Sequence, residues 1–191
     1  MNNLKDLIRR NRSYRRFYQD VSIPEYMLEG FVDLARLSPS ARNAQTLKYF
    51  ISCDADTNAR IFPQLSWAGY LKNWQGPEEG ERPSAYIIIL NDTNISDNYF
   101  CDDGIAAQSI LLGAVEQGFG GCIVGSVDRL KLSKELNIPS HLKIVEVIAL
   151  GKPKEEVVIE EVKEGDIRYW RDETQIHHVP KRPLDEIIVK F

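Results

Sequence analysis

Long apolar runs are missing from this chain: none approaches the roughly 18 residues that a membrane-spanning helix needs. The first residues, MNNLKDLIRR, lack the apolar core of a signal peptide, so the expected location is the cytoplasm. Cysteine is scarce. Cys53, Cys101 and Cys122 are too few and too scattered for a disulfide framework or a Cys-x-x-Cys metal or redox site, and are expected as reduced thiols in or near the core. An excess of positive charge is missing too, because 24 Lys and Arg stand against 28 Asp and Glu, giving a net charge of −4 and a pI of about 5.5. That balance excludes a general affinity for nucleic acid or anionic membrane. Equally absent are a Gly-x-Ser-x-Gly elbow, a His-Glu-x-x-His metal pair and a Walker A lysine loop. Gly118, Gly120, Gly121 and Gly125 do not complete a dinucleotide fingerprint, since Ile123 stands where its third glycine belongs. They read as a helix end and close backbone packing. His177 and His178 are adjacent, point to opposite sides of an extended chain and suggest no third ligand. A surface or interface role is expected of them, not a metal.

What is present fits one domain of 191 residues with an ordinary core. Leu4, Leu7 and Ile8 recur at helical spacing, with Asn11 as a left-handed stop. Ser22-Ile-Pro-Glu25 reads as an N-cap that opens a helix through Leu28, Phe31, Val32, Ala35 and Leu37, closed by Pro39. Strands are expected over 47–53, 85–91, 122–124 and 142–150, and the second of them, AYIIILN, is apolar enough to be buried on both faces. The periodicity from Asp102 to Gln117 describes a long, well-buried helix capped by Asp102 and Asp103, and a further helix runs from Asp128 to Leu136. After Gly151 the composition changes. A tail, 152–191, shows little periodicity and is expected to extend as an arm over this subunit or a partner.

The arginines are unevenly placed. RRNRSYRRF, from Arg9 to Phe17, holds five in nine residues of an acidic chain. Three readings compete: a solvated helix end, a nucleic-acid arm and a phosphate clamp. The second lacks aromatic platforms and another basic patch. For the third, an extended 12–18 puts Ser13, Arg15 and Phe17 on one side, offering a hydroxyl and a guanidinium fork to one oxyanion, with Arg12 beside them.

Arg12-Ser13-x-Arg15 ahead of a helix that ends in SPSARNAQ (38–45) resembles the nitroreductase family of FMN-dependent oxidoreductases. The resemblance continues through GIAAQSILLGAVEQGFGG, CIVGS, VIALGKPKE and PKRPLDEII, nearly the whole chain. It implies an α+β fold, with a central, mostly antiparallel sheet flanked by helices, working as an intertwined homodimer with FMN at the subunit interface. By the same resemblance Arg12, Ser13 and Arg15 contact the ribityl and phosphate, with Arg16 as a helper, and Lys181 and Arg182 complete the clamp. Pro39, Ser40 and Asn43 reach the ring of the flavin held by the other subunit, supported by Gln45, while Ile123, Val124 and Gly125 lie against its pyrimidine and N5 side.

The activity implied is transfer of hydride or electrons from NADH or NADPH to a nitroaromatic, quinone or other oxidised organic acceptor by a ping-pong mechanism. No catalytic acid or base is needed, because flavin N5 carries the hydride. Trp67, Tyr70 and Trp74, three large aromatics in eight residues before Gly76-Pro77, suit a lid over a flat ring, although packing is an even alternative. Two other functions remain open: a flavin-binding protein without turnover, and a specialised family enzyme such as a reductive dehalogenase or flavin destructase. Cys122, close to the flavin loop, is expected as a buried inert thiol.

Overall fold

The computed structural model describes residues 3–191. Helix α1 (Leu4–Arg10) is capped by Asn3, whose side chain accepts the Asp6 N–H. It stops at Asn11, which is extended (φ −73°, ψ 98°) and not left-handed as expected. The chain must stay extended there, because the next residues run beside another strand: Ser13 bridges Gly121, and the Tyr14 N–H donates to the Gly121 carbonyl at 3.0 Å.

After β1 (Phe17–Tyr18), helix α2 (Glu25–Leu37) begins from Pro24, without a side-chain cap; Ser22 lies too early to reach the first free N–H groups. It ends where expected, since Ser38 precedes Pro39 and is held extended (ψ 154°). Then follow β2 (Leu47–Ser52), α3 (Ala55–Ile61), β3 (Ala85–Asp92), α4 (Asp102–Glu116), β4 (Gly120–Val124), α5 (Arg129–Glu135) and β5 (Leu142–Pro153). The sequence reading missed α3, a short helix whose cap Asp54 accepts the Thr57 N–H at 2.7 Å.

β5 is the axis of the sheet. It pairs with β3 on one side and with β4 and β1 on the other, β3 pairs with β2, and every pairing is antiparallel. Alternation along β3 sends Ala85, Ile87 and Ile89 toward α2 and α4, and Tyr86, Ile88 and Leu90 toward α3, α5 and Trp67. Both faces of the sheet are therefore covered, which is why AYIIILN carries no polar alternation. Gly121 lets β4 approach β5 closely, since a Cβ there would lie 2.5 Å from the Ala149 carbonyl oxygen. The fold is α+β, as expected.

From Lys154 the chain leaves this sheet. The arm is more ordered than its composition implies: β6 (Val157–Glu161), β7 (Trp170–Arg171) and β8 (His177–Lys181) form a second sheet in the order β6-β8-β7, followed by α6 (Leu184–Ile187). Strands of two to five residues are too short for their alternation to stand out in the sequence. Cys122 is buried and Cys53 is half-buried against the core, as expected, but Cys101 is exposed in the turn before α4, contrary to the placement in or near the core expected of all three. Among the described residues no helix is long and apolar enough to cross a membrane.

Candidate functional site

Four of the five arginines, Arg10, Arg12, Arg15 and Arg16, have different partners. Arg10 donates to the Val115 carbonyl at 2.6 Å, satisfying the C-terminal end of α4. Arg16 makes a fork on Glu81, at 2.5 and 2.7 Å, which Lys154 joins at 2.8 Å. That bond, more than any other cause, holds the Glu81 carboxyl down at about 2. Arg16 therefore braces the loop before β3 and lines none of the cavities described below. Arg12 donates to the Ile8 carbonyl at 2.8 Å but leaves Nε buried without a partner, and burial lowers its pKa from the ordinary value. Arg15 keeps its guanidinium free of carboxylates: it donates to the Ser13 carbonyl at 3.2 Å and lies 5.2 Å over the Tyr169 ring.

Arg12, Ser13, Arg15 and Lys181 line one cavity of about 290 Å³ with Ile123, Tyr169 and His177. A neighbouring cavity of about 280 Å³ shares Arg15, Ile123 and Tyr169 and extends along Val124 and Gly125 to Trp67. The first is polar and cationic; the second is floored by the end of β4. No carboxylate lines either one. Ser13 and Arg15 do share one side, but Phe17 turns into the core against Gly151. Cys122 is buried beneath the second cavity, and burial pushes its thiol above the ordinary value.

Glu155 holds the Arg15–Arg16 segment in place. Its fully buried carboxylate accepts the main-chain N–H groups of Arg15 and of Arg16, the latter at 3.2 Å, and pairs with Arg171 at 2.8 Å. Nothing in the acidic run around it distinguishes Glu155 from its neighbours. His177 was expected at a surface or an interface; within the chain it is buried, with both ring nitrogens unpartnered, because the alternation along β8 turns it to the inner side of the small sheet, beside Tyr169. Burial, and then Arg15 and Arg171, push its pKa down to about 4. His178 faces the other way, stacked 4.8 Å from Trp170, and Glu160 and Asp172 raise its pKa.

Pro39, Ser40 and Gln45 line a separate cavity of about 240 Å³ that shares no residue with the other two. Within one chain these groups are not brought together. The loop that carries them is unusual, because Arg42, Asn43 and Gln45 all have positive φ, between 51° and 55°. Such conformations persist only where the surroundings enforce them. Here the enforcer is Asp102, which does not cap α4 as expected: its buried carboxylate accepts from the Ser40 hydroxyl at 2.7 Å and the Ala41 N–H at 2.9 Å. Asn43 is exposed on the same loop, and Arg182 pairs with Glu186 and, unlike Lys181, does not line the first cavity.

The three aromatics separate. Trp67 is buried and walls the second cavity, with Gly76 (φ +125°) against it, where a Cβ would lie 2.6 Å from the indole. Tyr70 is exposed and packs 4.9 Å from Tyr169. Trp74 is half-buried, with the Arg171 guanidinium 4.3 Å over its ring.

Residues 8–152 match the model of the nitroreductase family. A protein of Archaeoglobus fulgidus, provisionally named NADH dehydrogenase/NAD(P)H nitroreductase, is 28% identical over 165 residues, covering 82% of this chain and 88% of that protein. Among solved structures, a nitroreductase family protein of Streptococcus pneumoniae TIGR4 superposes with a TM-score of 0.71 at 17% identity, covering 99% of this chain and 100% of its own. An FMN-dependent nitroreductase of Clostridium difficile R20291 gives a TM-score of 0.64 at 25% identity, covering 78% and 87%.

Proposed function

The chain belongs to the nitroreductase family, and from that premise we propose that it is an FMN-dependent oxidoreductase that takes electrons from NAD(P)H and delivers them to an oxidised organic acceptor. The observation that carries the reading is the pair of adjacent cavities that share Arg15, Ile123 and Tyr169. In a chain of net charge −4, three cations converge on walls that hold no carboxylate. FMN fits them in kind: a phosphate near −2 suits Arg12, Ser13, Arg15 and Lys181, and a flat ring suits the floor of Ile123, Val124 and Gly125 against Trp67. The unpartnered Arg12 Nε is a donor that such an anion satisfies.

When bound, FMN supplies the ring position that takes a hydride from NAD(P)H and passes electrons on to the acceptor. The chain's own residues bind, orient and shield. Arg12 and Arg15 fix the phosphate end, Glu155 holds the Arg15 backbone, and Ile123 to Gly125 present a strand end to the ring edge. Tyr70, exposed beside Tyr169 at the rim, is placed to contact an acceptor, whereas Trp67 and Trp74 serve packing. Nitroaromatics and quinones are the acceptors proposed, with donor and acceptor using one pocket in turn, hence a ping-pong order.

We place the second half of the site on a second copy of the chain. Pro39, Ser40, Asn43 and Gln45 sit on an Asp102-braced loop away from the clamp, and a homodimer brings them to it. Exposed apolar side chains support this: Leu4 and Ile8 on α1, and Leu184, Ile187, Ile188, Val189 and Phe191 at the end of the arm. Unpaired cysteines agree with work in the cytoplasm.

The absorption spectrum of the purified protein tests the cofactor, since oxidised flavin has two characteristic bands in the near-ultraviolet and blue. Arg15→Ala should purify folded but poor in flavin, losing a charge-assisted contact of about 1.5–3 kcal/mol. Bleaching by NAD(P)H, reoxidation by a nitro compound and parallel double-reciprocal plots test turnover and order. A bound flavin that NAD(P)H leaves oxidised would favour a binding protein without turnover.

A further inference from the structure

His177 begins β8 with its backbone held on both sides, by Val157 of β6 and Arg171 of β7, and its N–H donates to the Glu156 carbonyl at 2.9 Å. A side chain so placed has little freedom of direction. Alternation turns His178 outward, to Trp170 and to Glu160 at 2.8 Å, and turns His177 inward. There it is 1% exposed and forms part of the wall that also carries Arg12, Ser13, Arg15 and Lys181. Its nearest aromatic neighbour is Tyr169, with ring centroids 5.2 Å apart. That ring offers no hydrogen bond to it: the Tyr169 hydroxyl lies toward Tyr70, whose N–H donates to it at 3.4 Å. Neither imidazole nitrogen has a protein partner. Buried polar groups are nearly always paired, so a side chain with donor and acceptor both unmet in a cavity wall points to a group that arrives with a ligand.

The charge state says what kind of group. Burial, Arg15 and Arg171 all oppose protonation, so the ring is neutral at physiological pH. A neutral imidazole presents one N–H donor and one lone pair. A phosphate dianion offers only acceptors and already has Arg12, Arg15 and Lys181. A hydroxyl offers both a donor and an acceptor, and it pairs with either tautomer of the ring.

We propose that His177 is a specificity-determining residue that hydrogen-bonds a hydroxyl of the polyol chain adjoining the phosphate of the bound cofactor. This rests on the FMN reading above, in which that chain is the ribityl. The ribose next to a phosphate in NAD(P)H has the same chemistry, and the test separates the two.

The full-length chain and its His177→Phe and His177→Gln variants are dialysed to equilibrium against graded FMN, and separately NADPH, and melted in FMN-free buffer. His177→Phe keeps the volume but removes both polar atoms. Its Kd for FMN should rise about tenfold, the equivalent of one lost hydrogen bond. Its melting temperature should hold or increase, because two unpartnered buried atoms become apolar. His177→Gln, with a donor and an acceptor, should stay within about threefold of wild type. A residue needed only for packing would instead lose melting temperature and FMN affinity together in both variants, which overturns the proposal. So does a His177→Phe Kd within about twofold of a wild type that binds FMN, while the cofactor reading survives. A wild type that fails to bind FMN overturns both. A weakening confined to NADPH overturns the ribityl assignment in favour of the nicotinamide nucleotide's ribose.

Discussion

Glu155→Ala removes a carboxylate that is 0% exposed from contact with an Arg171 side chain that is 8% exposed. Three hydrogen bonds go at once: those from the Arg15 and Arg16 main-chain N–H groups and the one from the Arg171 guanidinium. The guanidinium is left buried with only the Trp74 ring, 4.3 Å away, as compensation. Breaking one side of a buried pair costs about 3–5 kcal/mol, whereas solvent-exposed pairs in general are worth about 0–1. At about 2–4 °C per kcal/mol for a chain of this length, the melting temperature should fall by roughly 6–20 °C. Added salt should change that difference little, because water and ions do not reach the pair. Glu155→Gln keeps an oxygen for the two N–H groups and should cost less, about 1–3 kcal/mol. Both variants should also bind FMN more weakly than their stability loss explains, since the Arg15 backbone is no longer held. Thermal melts at low and high salt, with FMN titrated at a temperature where every variant is folded, measure both effects. A Glu155→Ala protein that melts with wild type and binds FMN normally would refute the argument that this carboxylate positions the clamp.

Asp102→Asn should loosen the Pro39–Gln45 loop, because the Ser40 hydroxyl and the Ala41 N–H donate to different oxygens of the carboxylate and the amide replaces one of those acceptors with an NH2 donor; a loss of about 1–3 kcal/mol is expected in thermal melts, with turnover falling more than flavin content. The adjacent histidines should oppose each other in pH dependence. His178 has a raised folded pKa, so its stabilising contribution is complete below about 6.5 and is lost as pH rises through that raised value. His177, pushed down to about 4, contributes above about 6.5 and loses that contribution as pH falls toward 4. Amide exchange in β6 to β8, followed from pH 5 to 8 on the order of one unit per step in wild type, His178→Ala and His177→Phe, should lose one limb of the profile in each variant.

The sequence alone determined the elements whose signal is local. The unbroken AYIIILN strand, the periodic 102–117 helix and the stop at Pro39 follow from apolar period and backbone sterics, both of which act over a few residues. The ordered pair of motifs at 12–15 and 38–45 carried a resemblance to the nitroreductase family, which the match of residues 8–152 to the family model then established. Strands of two residues, such as β7, left no such signal. What only the tertiary structure decided is which like residue does which task. Arg15 and Arg16 are adjacent and chemically identical, yet Glu81, 65 positions away, takes one guanidinium and leaves the other to the cavity. Asp102 and Asp103 are equally good helix caps by type, and the Ser40 loop engages only the first. His177 and His178 differ by which side of a three-stranded sheet they face, hence by burial and by opposite shifts in pKa. Partner choice and desolvation depend on groups brought together from far along the chain, and those distances are set by the fold.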